Sequence, residues 1–315
     1  MTIITKKGQT DRIPTGAVVM LGYFDGFHKG HMALCDAAYE LKQRKNAACV
    51  LIWTFDRLAK GKSITDNEEK AEAFFSYAAN TTSADDRAVI FEEFSRVSHL
   101  SGEEFVKTVL KDRLDAAAVV CGFNFRFGYR GASGASELTE YCSRYGIECC
   151  VVAPVTAEEE TVSSTLIRRM IEEGHVETAA EWMGRPYSVT AAVVHGKRIG
   201  HTLGFPTVNQ RIPSEKVTPA FGVYACRVKI PDGFGGEMVK NGVCNIGFRP
   251  TVNGDESDVT LETYIFDYDG DLYGKRITVS LFRRLRGEVR FSSKEELSRR
   301  IALDKAEAME FFERG

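Results

Sequence analysis

Five runs in the first half of the chain are continuously apolar rather than alternating, save for Arg87 and Glu148 at the start of two of them: 17–21, 47–53, 87–91, 116–121 and 148–153. A strand with one wet face reads apolar, polar, apolar. A strand apolar on both faces must be covered on both. Helix-like stretches stand between the runs, at 31–44, 68–79, 102–114 and 136–145. Strand and helix in strict alternation predict an α/β domain whose parallel sheet is covered by helices on both sides. In such sheets ligands bind beyond the carboxyl ends of the strands, where the strand order reverses.

From about Tyr187 the texture changes. Strand-like runs follow one another at 187–194, 222–230, 238–245, 259–266 and 276–283, with turns such as Asp232-Gly233, Asn253-Gly254 and Asp269-Gly270 between them. This predicts a closed antiparallel β-barrel. A single amphipathic helix over 293–312 closes it, with Ser292 or Ser293 as N-cap. Gly184-Arg185-Pro186 marks the boundary, dividing the chain into 1–186 and 187–315.

Two domains suit a length of 315 residues. The formal net charge is −3, which argues against a nucleic-acid partner, since those proteins carry a strongly basic face. No apolar run is long enough to span a bilayer, and the N-terminus lacks the apolar core of a signal peptide. The eight cysteines form no C-x-x-C pair. They are expected to be small core residues in a reducing cytoplasm.

The first strand ends in Gly22-Tyr23-Phe24-Asp25-Gly26-Phe27-His28-Lys29-Gly30-His31, and a helix follows. A strand end, a glycine turn and a helix N-terminus make a natural anion site, because backbone N–H groups and the helix dipole favour negative charge. His28 and His31 add donors that could grip one triphosphate together. The plainer reading is that they cap the helix or bind a neighbouring loop. Ser163-Ser164-Thr165 likewise reads as an N-cap of the next helix or as part of an anion site, and the two are compatible.

Gly22-x-Phe24-Asp25-Gly26-x-His28-x-Gly30-His31 resembles the nucleotidyltransferase signature, in the variant of bacterial bifunctional riboflavin kinase/FMN adenylyltransferases (FAD synthetases). Gly122-Phe123-Asn124-Phe125-Arg126-Phe127-Gly128 resembles that family's flavin-side loop, and Ser163-Ser164-Thr165-x-Ile167-Arg168 its Ser-Ser-Thr-x-x-Arg motif. Gly184-Arg185-Pro186-Tyr187, leading into the barrel, matches as well. The resemblance covers nearly the whole chain. It implies a Rossmann-like nucleotidyltransferase domain followed by a riboflavin-kinase barrel. His28, His31 and Arg168 would act on the ATP phosphates, with Gly22, Phe24, Asp25, Gly30, Ser164 and Thr165 shaping that site. Asn124 and Phe127 would lie on the flavin side. The reaction implied is attack of the FMN phosphate on the α-phosphorus of ATP, with release of pyrophosphate.

In the second half, Gly196-Lys197-Arg198-Ile199-Gly200-His201-Thr202-Leu203-Gly204-Phe205-Pro206-Thr207-Val208-Asn209 is dense in glycine. Glycines let backbone N–H groups approach phosphate. Thr207 and Asn209 offer two oxygens on one face of an extended segment, and such hard ligands suit Mg²⁺. An ordinary loop turning at Pro206 fits as well. Glu262 is a single acid in the apolar-leaning run 259–266. Periodicity leaves it either an outward charge or a placed base, since Thr260 and Tyr264 share its face. The glycine-rich loop, Pro-Thr-x-Asn, Glu262 with Asp267-Tyr268-x-x-x-Leu272-Tyr273-Gly274, and Leu285-Arg286-Gly287-Glu288 resemble the riboflavin kinase module. That likeness makes Glu262 the base for the riboflavin 5′-hydroxyl. It places Gly196 and Gly200 at ATP, Thr207 and Asn209 on Mg²⁺, and Arg286 near the flavin.

Two stretches depart from the pattern. Where the family carries Phe-x-Pro-His-Pro, this chain reads Phe55-Asp56-Arg57-Leu58-Ala59, and Leu166 stands where arginine is commoner. Both lie in the adenylylating half. A loop without prolines loses more entropy on binding, so FMN is expected to bind less tightly there. The leading expectation is an enzyme making FMN from riboflavin and then FAD, with riboflavin, FMN and ATP as its ligands. The alternatives are a kinase with a weakened or lost adenylyltransferase half, and a non-enzymatic flavin- or nucleotide-binding protein.

Overall fold

The computed structural model describes residues 1–5, 8–10, 12–56, 61–78, 87–157, 159–196, 204–233, 236–249 and 258–314, with backbone alone at 249 and 258. Contacts divide the chain into two compact units, Met1–Ser164 and Thr165–Gly315.

In the first unit, β1 (Thr2–Thr5) and β2 (Gly8–Thr10) form a hairpin. The chain continues as β3 (Val18–Leu21), α1 (Lys29–Lys45), β4 (Val50–Phe55), α2 (Asn67–Ala78) and β5 (Arg87–Glu92). Next come α3 (Gly102–Phe105), which runs on as a π-helix over Val106–Arg113, then β6 (Ala118–Gly122), α4 (Ala135–Arg144) and β7 (Glu148–Val152). A two-residue hairpin, β8 (Thr156–Ala157) with β9 (Glu160–Thr161), precedes α5 (Ser164–Glu173). All five expected parallel strands are present, in the order β5-β4-β3-β6-β7. The β1–β2 hairpin, which the sequence reading did not expect, pairs antiparallel with β5 and covers that edge.

The unbroken apolar runs have the predicted cause. Alternate residues of the central strands feed two separate cores. Val19, Leu21, Leu51, Trp53, Ile90 and Val119 pack with Phe105, Val109 and Leu138 on one face. Val18, Met20, Val50, Ile52, Val89 and Val120 pack with Cys35, Ala38 and Phe74 on the other. Each such side chain contributes on the order of 1.5–3 kcal/mol when fully buried. Counted from β3, the parallel strands run 3-2-1-4-5. The order therefore reverses between β3 and β6, where Leu21 pairs with Cys121.

The second unit takes α5 from Thr165 onward and then α6 (Val176–Met183), which Gly184 ends in the left-handed conformation. It continues as β10 (Tyr187–Ala192), β11 (Thr207–Arg211), β12 (Gly222–Pro231), β13 (Glu237–Arg249), β14 (Asp258–Ile265), β15 (Arg276–Arg286) and α7 (Lys294–Arg314). The six strands form one antiparallel sheet in the order β10-β15-β12-β13-β14-β11. Its edges meet where the Val194 N–H donates to the Asn209 carbonyl at 2.7 Å, which curls the sheet towards a barrel. Ser293 caps α7 by accepting from the Glu296 N–H at 3.1 Å. All eight cysteines are unbridged, and six are buried.

Candidate functional site

The turn after β3 sits at the reversal of strand order and is conformationally costly. Phe24 and Phe27 have φ of 54° and 37°, and both rings are fully buried. A bulky residue in the left-handed region is strained, and burial of the two rings holds the strain in place. Gly22 lies against the Phe24 ring. Asp25, 1 % exposed, accepts from the Ile64 N–H (2.9 Å), the Thr65 N–H (3.0 Å) and the Thr65 hydroxyl (3.2 Å). The Thr65 Oγ1 in turn accepts from the Gly26 N–H at 3.0 Å. The carboxylate thus ties the turn to the loop before α2, a role the motif alone did not disclose.

His28 caps the start of α1, and its N–H donates to His31 Nδ1 at 3.3 Å. In a neutral His31 this fixes the proton on Nε2. The two rings stack with centroids 3.8 Å apart, and Phe24 flanks His31 at 5.0 Å. Both readings of these histidines are therefore compatible: they organise the helix start and remain together on an anion-favouring turn. A Cβ at Gly30 would fall 3.0 Å from His28 Cε1 and 3.1 Å from His28 Nδ1. Gly30→Ala is expected to displace the His28 ring without unfolding the unit, and an unshifted His28 imidazole NMR signal in that variant would overturn this.

The Ser164 hydroxyl donates to the Asp25 carbonyl at 2.8 Å. Thr165 is exposed, and Arg168 stands one helical turn after Ser164 on α5. On the other side of the strand reversal, the loop after β6 exposes Asn124. Phe127 is buried against Phe105 and Phe125 at 5.6 and 5.5 Å. The exposed rings of this loop are Phe123 and Tyr129. Arg57, Leu58, Ala59 and Lys60 lie outside the described residues, as does Gly200.

The second unit has a cavity of about 320 Å³ between one face of the sheet and α7. Thr207, Asn245, Glu262, Tyr264, Arg286 and Asp304 line it. Leu261, Thr263 and Ile265 are buried, so Glu262 and Tyr264 occupy the opposite face of the strand. Glu262 pairs with Asn209 on one side and Asn245 on the other. Directly opposed residues hold their Cβ atoms about 4.5–5.5 Å apart. Asn245 was missed because it sits inside an ordinary strand pattern.

Arg286 reaches the cavity through irregular pairing. Val223 pairs with Arg286 but Tyr224 with Arg284, so Leu285 bulges out of the β15 ladder. Its guanidinium meets the buried Asp304 of α7, with Nε to Oδ1 at 3.0 Å and Nη2 to Oδ2 at 2.7 Å. Arg300 Nε donates to the same carboxylate at 2.9 Å. Asp304 was likewise missed, because an acid four residues after an arginine reads as a surface helix pair.

The residues expected at Mg²⁺ can be tested for fit. Asn209 is 5 % exposed, and its Oδ1 has no hydrogen-bond partner among the described residues. A buried oxygen left unpaired is costly, and a hard cation would satisfy it. Gly196 lies against this side chain, where an added Cβ would fall 2.3 Å from Nδ2. The described residues hold no cluster of three His, Cys, Asp or Glu able to bind a metal. The amide oxygen of Asn209 and the hydroxyl of Thr207, with the Glu262 carboxylate directly opposite Asn209, are the donors on offer here.

A family model for FAD synthetase matches residues 10–166, and one for riboflavin kinase matches residues 183–312. The bifunctional riboflavin kinase/FMN adenylyltransferase of Buchnera aphidicola subsp. Schizaphis graminum (strain Sg) is 32% identical over 302 residues, covering 93% of each chain. The protein of that name from Escherichia coli (strain K12) is 32% identical over 301 residues, covering 94% of this chain and 93% of its own. A crystal structure named for a macrolide-efflux protein from Streptococcus pneumoniae superposes with a TM-score of 0.79 at 28% identity, covering 96% of both chains. Among the described residues, no helix is long and apolar enough to cross a membrane. The chain belongs to the bifunctional riboflavin kinase/FMN adenylyltransferase family.

Proposed function

We infer that this protein phosphorylates riboflavin to FMN with ATP and then adenylylates FMN to FAD, releasing pyrophosphate. The observation that carries this reading is the succession of two family matches, each over a unit with its own candidate site. We assign residues 1–186 to adenylyl transfer and 187–315 to the kinase.

In the kinase half, Glu262 serves as the base for the riboflavin 5′-hydroxyl. It is half-buried and flanked by two asparagines. Thr207 and Asn209 hold Mg²⁺, which when bound neutralises charge on the ATP phosphates. Arg286, steadied by Asp304, forms a wall of the flavin cavity. In the adenylylating half, His28 and His31 supply donors where charge develops on the transferred group. Asp25 and Ser164 fix the turn that carries them, and Asn124 lies on the flavin side.

Incubation with riboflavin, ATP and Mg²⁺, followed by chromatographic resolution of FMN from FAD, tests the assignment. Both products are expected. FMN without FAD, even with FMN supplied in excess, would leave a kinase alone. Asn209→Ala is expected to raise the Mg²⁺ needed for half-maximal phosphorylation and to leave adenylylation unchanged. An unaltered Mg²⁺ dependence would take Asn209 out of the metal site.

A further inference from the structure

Lys70 is where the first unit buries a charge that the reading above does not use. It stands in the first turn of α2 and is 2 % exposed. Its Nζ lies 4.5 Å from the centroid of the Tyr23 ring and 5.6 Å from that of Phe91. Among the described residues no oxygen comes within hydrogen-bond or ion-pair reach of the ammonium. Lysine is almost never fully buried unless paired. A cation held against aromatic faces instead recovers less than the hydration shell it has lost.

Its place in the fold is specific. Tyr23 lies two residues past β3, inside the turn that carries His28 and His31, and Phe91 lies near the carboxyl end of β5. The ammonium therefore sits under the carboxyl edge of the sheet. Three acids surround it without touching it: Asp25 in the turn, Asp56 after β4, and Asp66 before α2. On β5 the neighbouring acid, Glu92, is bound to Arg113 instead, at 2.6 Å.

We propose that Lys70 is a positioning residue for adenylyl transfer: its buried ammonium holds the Tyr23 ring and offsets Asp25, so that the turn repels a substrate phosphate less than its carboxylates alone would. The inference rests on the adenylyltransferase reading above. Burial pushes the Lys70 ammonium down to about 8, against the opposing pull of Asp25, Asp56 and Asp66. The charge is present below that pH and is lost as pH rises through it. The FMN phosphate is already fully ionised across this range, since its second ionisation lies near pH 6.

The test is FAD formation from supplied FMN between pH 6.5 and 9.5, for the wild type, Lys70→Arg and Lys70→Met, with thermal midpoints alongside. In the wild type, kcat/KM for FMN is expected to fall by up to tenfold per pH unit above about pH 8. Lys70→Arg keeps its charge and is expected to lose that fall. Lys70→Met is expected to be slow at every pH yet at least as heat-stable as the wild type, because a desolvated charge has gone. A merely structural lysine would give the opposite pairing, lower stability with unchanged pH dependence. Normal adenylylation by Lys70→Met overturns the proposal, as does an alkaline fall that persists in Lys70→Arg. If Lys70→Met does not fold, the Lys70→Arg profile still decides. A wild type that makes no FAD at any pH sinks the adenylyltransferase reading itself, and the inference with it. A wild type that makes FAD with a flat profile sinks the inference alone.

Discussion

Glu262→Gln is expected to lower FMN formation from riboflavin by about 10²–10⁴-fold while FMN supplied from outside is still converted to FAD. The range is that for loss of a general base, roughly 3–5 kcal/mol of barrier. Glutamine keeps the shape and the cross-strand fit between Asn209 and Asn245, but its amide cannot take up the hydroxyl proton. The KM for riboflavin should therefore move little, since the cavity walls are unchanged. Initial rates of the two half-reactions, measured separately, check this. Near-normal FMN production would remove Glu262 from the role.

His28→Ala and His31→Ala give the reverse pattern. FAD formation is expected to fall about 10²–10³-fold for each, the usual cost of one donor to developing charge. FMN formation should persist. The two losses should add to less than their sum in the double variant, because the two rings stack on each other. If both activities collapse in a protein that keeps its fold, the assignment of one reaction to each unit is wrong. Circular dichroism of each variant separates that outcome from unfolding.

What the sequence could disclose follows from what each residue's surroundings require. β3 to β6 were legible because burial on both faces leaves few polar residues, and β7, only half-buried, was legible from its apolar composition alone. β11 was harder. Thr207–Arg211 reads TVNQR, with no apolar pattern, and its strand character comes from pairing with β14. The N-terminal hairpin was missed for a similar reason, since its strands are three and four residues long and mixed in polarity. Of the candidate residues, those in contiguous motifs were found and those contributed by distant segments were not. His28 and His31 are neighbours in sequence. Thr65, which completes the Asp25 network, stands 40 residues further on. Lys70 looks like solvent-facing charge in Asn67-Glu68-Glu69-Lys70, and only the packing of α2 against the sheet edge reverses that reading. The stretch at 57–60, where the sequence departs from the family pattern, lies outside the described residues.

The wall that α7 gives the kinase cavity has a temporal meaning. Leu297, Ile301 and Asp304 enclose a space whose opposite lining begins at Phe205 and Thr207. A ribosome making this chain completes every strand of the barrel, including the one bearing Glu262, before it makes the helix that lines the cavity. Domains generally fold in order of synthesis, so the unit that consumes FMN can mature before the unit that produces it. A newly made molecule would pass through a stage at which it can use FMN from older copies but make none of its own. Truncated products released in that interval would draw on the FMN pool without replenishing it.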